Sequence, residues 1–406
     1  MRRDSYRIFS PGKIGKLAIT NRIVRSATWD PSILSERKMN DETVALYRQV
    51  AAGGVGMIIT GDFSVVPRGS RDEDCGGFDE FSYDDVRIDG YDRLIAAVRQ
   101  TAPSCKIIAQ LSGDYRDLSP SGVKSVFARK PPKTMSRGQI RTLVRRFIVA
   151  IEGAKHDGFD GIQFHAAHGS LLCQFLSPYT NRRTDEYGGS MENRARLIGE
   201  IVSGARHRVS DFPILIKLNC TDYLEGGIDI NNFPELAREI EKTGIDSIEV
   251  SGGMRDCLVR SEQELGFRPI YPPESQTRLA RPEKQSYFLK YVEGLKLEIP
   301  LILVGGNRNV ELLEEILGQG TVDFVSLCRP LICEPDLPRR WLEGRGKNGT
   351  ACVSCNSCIY DQILAFEEKR SGVAKCLMRE DRQRVRLAQN WISSWAKKRL
   401  PQDDSE

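Results

Sequence analysis

Two histidines stand three residues apart in a sequence that contains only four histidines. His165 and His168 form the motif H-A-A-H just past a predicted strand. A metal pair at this spacing needs a carboxylate or another third ligand nearby, and Gln163 is not such a ligand. Two neutral or cationic imidazoles that bind one substrate oxygen explain the motif better. The alternative is a histidine pair that caps the following turn.

Four of the eleven cysteines are grouped late in the sequence. Cys352, Cys355 and Cys358 form C-x2-C-x2-C, and Cys376 follows after 17 residues. Four thiolates bind either zinc or a [4Fe–4S] cluster. A run of three cysteines with a distant fourth is typical of iron–sulfur sites, whereas zinc sites more often use two separated pairs. A third alternative is a set of free thiols, and the remaining cysteines are expected to be small buried apolar residues.

A glycine pair and an arginine follow the last two predicted strands. Gly305-Gly306 comes after the seventh strand, and Cys328-Arg329 comes after the eighth. Glycines let backbone N–H groups approach an anion closely, and a guanidinium adds a two-pronged charge-assisted hydrogen bond. These two strand ends are where barrels commonly bind phosphate. We therefore expect a phosphate site here.

Lys217 ends the apolar run I-L-I-K-L-N. An isolated lysine of this kind is explained by an ion pair. It is also explained by an aliphatic side chain that extends along apolar surface and places the amine in solvent. One functional alternative is a Schiff-base lysine, as in aldolase-type barrels. The other is a fixed positive charge beside a cofactor that becomes anionic when it is reduced.

Eight short apolar runs alternate with helical patterns, as in a series of βα units. The predicted strands are 22–26, 57–60, 106–111, 161–165, 214–218, 247–250, 301–304 and 324–327. The predicted helices are 41–52, 91–101, 137–157, 192–209, 233–243, 286–295, 310–319 and one near 335–342. Left-handed glycine stops are expected at Gly53, Gly158, Gly244 and Gly320. Because the runs are continuous in Val, Ile and Leu, they predict a buried parallel sheet. The fold class is α/β, a closed (β/α)8 TIM barrel, since no Gly-rich phosphate fingerprint follows the first strand.

Two domains are expected. Residues 1–345 form the barrel, and residues 346–406 form a short cysteine-rich segment with a helical tail at 382–399. Segments 112–134 and 252–285 are long for βα loops and both follow strands. We expect both to lie over the C-terminal mouth of the barrel, the second as a polar lid.

Composition excludes several classes of protein. The chain has 406 residues, 40% apolar and 28% charged, which rules out disorder over most of its length. No run is apolar enough for a membrane span, and the first residues lack the apolar core of a secretory signal. A net charge of +4 is too small to indicate nucleic acid as a partner. We expect a cytoplasmic protein whose cysteines serve metal binding or redox chemistry rather than disulfides.

Several stretches of the sequence resemble a known family. The run HAAHGSLLCQFLSPYTNRRTDEYGGSMENRARL resembles the signature of the old yellow enzyme family, the FMN-dependent ene-reductase barrels. Further matches are FSPGKIGKLAITNRIVRSATWD, GGVGMIITGDFSVV, IIAQL, IKLNCTDYLEGG, VGGNRNVE and DFVSLCRPLICEPDL. They follow the family's order over about residues 1–345. The C-terminal CVSCNSC resembles the branch of 2,4-dienoyl-CoA reductase and trimethylamine dehydrogenase, which carry an iron–sulfur cluster beside FMN.

The resemblance implies a role for each matching position. The residues that would lie along or touch the flavin ring are Ser26, Ala27, Thr28, Gly61 and Gln110. Lys217 takes the basic position near flavin N1, where a cation stabilises the reduced, anionic flavin. Gly305, Gly306, Cys328 and Arg329 match the phosphate site. His165 and His168 match the pair that binds the carbonyl oxygen of an electron-poor substrate. The resemblance also implies a [4Fe–4S] cluster on Cys352, Cys355, Cys358 and Cys376.

Two departures from the family pattern affect the expected chemistry. Ser170 occupies the position of the family's tyrosine proton donor, and a serine hydroxyl is a much poorer acid than a phenol. Tyr179, Tyr223 or a water would then supply the proton. The interval before Cys376 is also longer than in cluster-bearing relatives, which carry a further FAD/NAD-binding half that this sequence does not contain.

These inferences predict an FMN-dependent oxidoreductase that reduces an activated C=C bond of a small unsaturated substrate by hydride transfer from flavin N5. Electrons would come from NAD(P)H or from a reduced electron-transfer protein, and a homo-oligomer is compatible with the sequence. One alternative is amine or ether dehydrogenation at the same flavin. Another is a flavin and iron–sulfur electron carrier without ene-reductase turnover, which Ser170 favours. A Schiff-base lyase that uses Lys217 is the remaining alternative.

Overall fold

A closed parallel barrel forms the body of the protein. The computed structural model describes residues 2–29, 38–66, 83, 87–368 and 373–399. The barrel strands are β1 (Ile23–Arg25), β2 (Met57–Ile59), β3 (Lys106–Ser112), β4 (Gly161–Ala166), β5 (Ile214–Asn219), β6 (Ser247–Ser251), β7 (Leu301–Leu303) and β8 (Phe324–Leu327). Each strand pairs in parallel with the next, and β8 pairs with β1. The predicted (β/α)8 fold is confirmed.

Helices follow most of the strands. They are α1 (Asp41–Ala52), α2 (Tyr91–Thr101), α3 (Arg137–Asp157), α4 (Leu171–Leu176), α5 (Met191–Val209), α6 (Phe233–Lys242), α7 (Glu262–Leu265), α8 (Val310–Gly318), α9 (Arg329–Cys333), α10 (Leu337–Leu342), α11 (Ser357–Glu367), α12 (Leu377–Glu380) and α13 (Arg382–Arg399). The caps agree with the chemistry of helix ends. Ser136 and Gln139, for example, form a reciprocal capping box at the start of α3.

The helix predicted at 286–295 is wrong. This stretch forms tight turns, including the 3-10 helix Leu289–Tyr291, after Ser286 with a φ of 49°. Phe288, Tyr291 and Val292 are all buried, so turns bury the same apolar residues whose spacing resembled a helix. A second correction concerns the end of α1, because Gly53 stays right-handed at a φ of −72° and Gly54 takes the left-handed conformation at 92°.

An apolar plug closes the end of the barrel where the strands begin. The strands Gly12–Ile14 and Leu17–Ile19 form an antiparallel hairpin ahead of β1. Ile14 and Ile19 are buried in one cluster with residues from the barrel strands, among them Val24 and Phe324. A functional cavity must therefore open at the opposite end, where the strands finish.

The C-terminal segment packs on the barrel through its own small core. Tyr360 of α11, Leu377 of α12 and Ile392 of α13 are buried together, with Ile270 and Tyr271 of the long segment after β6 packed against them. The segment after β6 and the C-terminal helices thus support each other. No helix among the described residues is long and apolar enough to cross a membrane.

Candidate functional site

One cavity of about 590 Å³ opens at the carboxyl ends of the barrel strands. Its volume lies in the range of pockets for cofactors and drug-sized ligands. Most of the residues that the sequence marked as functional line it: Ser26, Ala27, Thr28, Gln110, His165, His168, Lys217, Gly305, Gly306, Cys328 and Arg329. Gly61 and Ser170 lie outside this lining. The Gly61 N–H donates to the Tyr47 hydroxyl at 2.9 Å.

The two histidines lie together at the end of β4. Their ring centroids are 5.3 Å apart, and His168 Nε2 lies 2.7 Å from Ser251 Oγ. The His168 N–H donates to Asn219 Oδ1 at 3.0 Å, which fixes a turn in which His168 has a φ of 61°. Burial is the main reason that the pKa of each histidine is lowered, and the charge of Lys217 lowers both further. Both rings are therefore neutral at pH 7.

His165 has a nitrogen available for a ligand. Its Nδ1 is buried and has no hydrogen-bond partner among the described residues. A buried polar atom without a partner costs about 1–3 kcal/mol, so such atoms point to a missing ligand or water. The pair can bind an oxygen atom in the cavity, as the sequence predicted, without requiring a charged imidazole.

A buried hydrogen-bond network lies beneath the cavity. Lys217 Nζ donates to Ser26 Oγ at 2.8 Å and lies 3.3 Å from Glu249 Oε2. Ser26 Oγ donates to Glu249 Oε1 at 2.8 Å. Gln110 Nε2 donates to Gln163 Oε1 at 2.7 Å, and Gln163 Nε2 donates to Glu249 Oε2 at 2.9 Å. One carboxylate therefore organises the three residues Ser26, Gln110 and Lys217 that the sequence assigned to a cofactor.

Glu249 sets the ionisation state of this network. Burial alone would raise its pKa, but the charge of Lys217 and the hydrogen bonds from Gln163 and Ser26 bring the pKa below its usual value. The Lys217 amine is engaged by Ser26 and by Glu249, which argues against the Schiff-base lysine, since that role needs a free amine. Glu249 is not among the residues predicted from the sequence. The available signal was a charged residue in the middle of the buried run S-I-E-V-S.

The glycine pair has the conformation that a close anion site needs. Gly305 and Gly306 have φ values of 101° and 78°. A Cβ on Gly305 would lie 2.5 Å from Phe288 Cδ2, and one on Gly306 would lie 2.9 Å from the Tyr287 ring. Arg308 and Arg329 line the same cavity and add two guanidinium groups. Only glycine fits at these two positions, and the set of donors suits a phosphate.

Both arginines also bind the cysteine-bearing segment. Arg329 Nη1 donates to Asn356 Oδ1 at 2.5 Å and to the Gln276 carbonyl at 2.8 Å. Arg308 donates to Ser354 Oγ at 2.9 Å and to the carbonyl oxygen of Cys352. Arg308 was not predicted from the sequence, although it lies two residues after the glycine pair. The candidate phosphate site and the cysteine loop therefore share two arginines.

Helix α11 of the C-terminal segment forms part of the cavity wall. Gln362 Nε2 donates to the Trp29 carbonyl at 2.8 Å, and the rings of Trp29 and Phe366 pack edge to face at 5.8 Å. All three residues line the cavity. The segment 252–285 adds Arg255, Tyr271 and Glu274 to the lining, so it reaches the mouth of the barrel.

Comparison with known proteins decides the family. Residues 7–348 match the profile of the NADH:flavin oxidoreductase / NADH oxidase family. The chain belongs to this family. The resemblance to old yellow enzymes is confirmed, and the prediction of an FMN-dependent oxidoreductase is confirmed at the level of the family. FMN is the cofactor that this family membership assigns, and the cavity fits it through its glycine cradle, its two arginines and the buried Lys217.

Several members of the family resemble the chain over most of its length. It is 32% identical to an NADH oxidase of Thermoanaerobacter brockii, over 88% of this chain and 54% of that protein. It is 30% identical to a metal reductase of Desulforamulus reducens, over 89% of this chain and 52% of that protein. It is also 30% identical to an NADPH dehydrogenase of Bacillus subtilis, over 82% of this chain and 93% of that protein. The chain thus spans about half the length of the first two relatives.

Solved structures share the fold. A complex of 2-naphthoyl-CoA reductase with 2-naphthoyl-CoA superposes with a TM-score of 0.75 at 23% identity, over 96% of this chain and 58% of that one. Histamine dehydrogenase from Rhizobium sp. 4-9 gives 0.70 at 23% identity, over 91% of this chain and 52% of that one. An old yellow enzyme homologue from Zymomonas mobilis gives 0.61 at 20% identity, over 84% of this chain and 94% of that one.

Ser170, at the position of the family's tyrosine proton donor, and the two tyrosines that could replace it are poorly placed to give a proton to the substrate. Ser170 Oγ donates to the His165 carbonyl at 2.6 Å, so its proton is already engaged. Tyr179 donates to Asp256 Oδ2 at 3.3 Å, and Tyr223 accepts from Gln276 Nε2 at 3.2 Å. Burial raises the pKa of both tyrosines, and neither is among the residues that line the cavity.

The four cysteines predicted as cluster ligands lie around one small cavity of about 40 Å³, together with Cys333. Cys333 donates a hydrogen bond to Cys376, which lowers the pKa of Cys376 to about 6, while burial raises the pKa of Cys358. The donor set suits an iron–sulfur cluster chemically. Among the residues described, however, no group of three or more His, Cys, Asp or Glu side chains is arranged to hold a metal ion. The ligand assignment stays a prediction.

Proposed function

We propose that the protein reduces a C=C bond conjugated to a carbonyl, with FMN bound in the barrel cavity. The observation that carries the proposal is the composition of that single cavity. Two neutral histidines lie at the end of β4, a buried lysine lies in the cavity wall, and a glycine and arginine cradle follows β7 and β8. This is the set of groups that a flavin and an electron-poor substrate require side by side.

The residues that would hold FMN divide by chemistry. Ser26, Ala27, Thr28, Gln110 and Lys217 would contact the ring, and the phosphate would be bound by Gly305, Gly306, Arg308, Cys328 and Arg329. When bound, FMN supplies a hydride through its N5 atom. The positive charge of Lys217 would favour an anionic ring, and Glu249 orients that lysine through a contact of 3.3 Å.

His165 and His168 would bind the carbonyl oxygen of the substrate. Negative charge develops on that oxygen as the adjacent alkene accepts a hydride, so hydrogen bonds to it are strongest in the transition state. Because both rings are neutral, they act as hydrogen-bond donors that are already oriented rather than as acids. Ser251 and Asn219 fix the position of His168 for this purpose.

We also propose a [4Fe–4S] cluster on Cys352, Cys355, Cys358 and Cys376, within a segment 346–406 that follows the barrel domain 1–345. The shared small cavity supports this assignment. The contacts of Arg308 and Arg329 with the loop around Cys352 put the two proposed cofactor sites next to each other. Electrons would enter from NAD(P)H at the flavin or from a reduced protein at the cluster.

One anaerobic preparation tests both proposals. We expect a flavin absorption spectrum, iron and acid-labile sulfide in equal amounts, and NAD(P)H-dependent reduction of 2-cyclohexen-1-one. Zinc without iron would replace the cluster proposal. Flavin without enone turnover would leave an electron carrier, and turnover of amines or ethers instead would indicate a dehydrogenase. Colourless protein that takes up no FMN would contradict the main proposal.

A further inference from the structure

Reduction of a C=C bond needs a proton as well as a hydride, and the usual tyrosine position holds Ser170. The hydroxyl of Ser170 is committed to the His165 carbonyl, and Tyr179 and Tyr223 point their hydroxyls at other partners. A carboxylic acid that lines the cavity and faces the histidine pair can carry the proton instead. Among the described residues, Asp62, Glu274 and Glu367 line the cavity, and Asp62 already accepts a hydrogen bond from Ser112 Oγ at 3.0 Å.

Glu274 meets this geometric requirement. It lies on the lid segment 252–285 and lines the cavity, with 24% of its side chain exposed. Its Oε1 is 4.0 Å from His168 Nδ1, so its carboxyl faces the group that would bind the substrate oxygen. The Tyr287 hydroxyl donates to the Glu274 carbonyl at 2.6 Å and anchors the backbone at this point. The carboxyl is therefore held on the substrate side of the histidine pair.

The surroundings of Glu274 favour a carboxyl that can both hold and release a proton. Desolvation raises its pKa to about 7, against the opposing effects of Lys217 and Arg329, whose charges lower it. His168 is neutral and so forms no ion pair that would keep the carboxyl ionised. Cys257 and Tyr287 also interact with Glu274, and burial raises the pKa of each to about 12, so both stay neutral. The titratable groups Asp62, His165 and Glu367 line the same cavity. Arg255 also lines the cavity.

We propose that Glu274 is the acid that protonates the α-carbon of the substrate during C=C reduction. This inference rests on the proposed function. The β-carbon accepts a hydride from the reduced flavin, the π electron pair moves to the α-carbon, and that carbon takes the carboxyl proton of Glu274. The resulting carboxylate is reprotonated from solvent, and NAD(P)H replaces the hydride for the next cycle.

The test separates the step that needs a proton from the step that does not. The FMN-loaded protein is reduced with stoichiometric dithionite without oxygen and mixed with 2-cyclohexen-1-one, and flavin reoxidation is followed by stopped flow. We expect Glu274→Gln to slow reoxidation by about 100-fold or more, the usual contribution of a positioned general acid. Flavin reduction by NAD(P)H needs no proton from this carboxyl and should slow far less than reoxidation in this variant. Glu262→Gln is the matched control, because Glu262 lies on the same segment with 58% of its side chain exposed.

Glu274→Asp keeps a carboxyl on a side chain that is one methylene shorter. The flavin should therefore be reoxidised faster in Glu274→Asp than in Glu274→Gln. A second readout is independent of turnover. Infrared difference titration of the FMN-loaded wild type should show a protonated carboxyl band that disappears near pH 7 and is missing from Glu274→Gln.

The outcomes distinguish a failure of the role of Glu274 from a failure of the proposed function. Reoxidation of Glu274→Gln at the wild-type rate, or no carboxyl band that depends on Glu274, would overturn the role of Glu274 and leave the proposed function standing. A wild type that 2-cyclohexen-1-one does not reoxidise would overturn the proposed function and this inference together. Equal loss in Glu274→Gln and Glu262→Gln would assign the effect to the segment rather than to the carboxyl.

Discussion

At the scale of single residues, the charge beneath the cavity depends on one carboxylate. Lys217 is 4% exposed and Glu249 is fully buried, so neither is stabilised by water. Burying either charge alone would cost free energy. The cost of burying the pair is offset by their mutual attraction and by hydrogen bonds from Ser26 and Gln163 to the carboxylate oxygens. Glu249 therefore supports both stability and the electrostatics of the proposed flavin site.

Replacing Glu249 by Gln should destabilise the protein by about 3 kcal/mol, because the substitution leaves a buried lysine without its counter-ion. Urea unfolding at pH 7 measures the change. Asp211→Asn is the control, since the pair of Lys16 and Asp211 is exposed on both sides and its loss should have little effect. Equal effects of the two substitutions would contradict the prediction.

The same pair gives a pH dependence with a definite sign. Because the pKa of Glu249 is lowered in the folded state, its contribution is fully present above the usual glutamate pKa and is lost as the pH falls through the lowered value. The stability difference between wild type and Glu249→Gln should therefore be largest near neutral pH and should shrink in acid. Unfolding curves over a pH series measure it, and a difference that grows in acid would refute the assignment.

Gly305→Ala tests the proposed phosphate cradle. The new Cβ would clash with Phe288. The alanine would also have to adopt a left-handed backbone conformation, which costs about 1–3 kcal/mol in addition to the clash. We expect lower stability and at least tenfold weaker FMN binding, measured by fluorescence titration. Gly226→Ala controls for strain alone, because Gly226 is also left-handed at 72° with no atom within 4 Å of the added carbon.

At the scale of elements, the loop that precedes α11 links two sites that lie far apart in sequence. Asn356 takes a left-handed conformation at a φ of 61°, accepts from Arg329 and donates to the Ser275 carbonyl at 2.7 Å. A single side chain thus connects the arginine of the phosphate site, the lid segment and the cysteine loop. The orientation of Arg329 depends on this loop.

Asn356→Gly should weaken FMN binding about tenfold, since glycine keeps the left-handed backbone but removes a hydrogen bond to a charged group worth about 1.5 kcal/mol. Asn356→Asp retains an acceptor for Arg329 and loses only the donor to Ser275, so its FMN affinity should stay closer to wild type. Fluorescence titration of the apoproteins with FMN measures both. A smaller loss in the glycine variant than in the aspartate variant would contradict the prediction.

The elements were largely predictable because their signals are local. The eight strands, and helices such as α1 and α3, follow from runs and periodicities contained within each segment. The residues at strand ends, such as His165 and Arg329, were predictable because the barrel brings every strand end to one face. Glu249 was missed although it is a charge within a buried run, because its partner Ser26 is 223 positions away and is reached only across the closed barrel. Glu274 was missed because the position of segment 252–285 over the mouth does not indicate which of its side chains faces the cavity. Phe366 was missed because its helix reaches the cavity only through tertiary packing.

At the scale of the whole molecule, the cavity joins the barrel, the lid segment and α11 into one ligand-dependent unit. A ligand that binds only the folded state stabilises it by about 2.7 kcal/mol at one hundred times its dissociation constant. Added FMN should therefore raise the unfolding temperature of the apoprotein. Hydrogen exchange should slow at the strand ends. It should also slow in α11, although the phosphate of the flavin is not expected to contact that helix.

Arg329→Met removes the guanidinium while keeping an unbranched side chain, and it should abolish most of this thermal shift. His207→Gln, at an exposed position of α5 that is not part of the cavity lining, should keep it. Differential scanning fluorimetry with and without FMN gives the comparison. A full thermal shift in Arg329→Met would show that the phosphate is bound elsewhere.

The contacts of Arg308 and Arg329 with the cysteine loop also constrain how the family diverges. An arginine that serves two sites cannot change to suit one of them without affecting the other. Among relatives that retain the cysteines, positions 354 and 356 should therefore covary with 308 and 329. Relatives that have lost the cysteines are free of this constraint and should show a new acceptor for Arg329 or a different residue in its place.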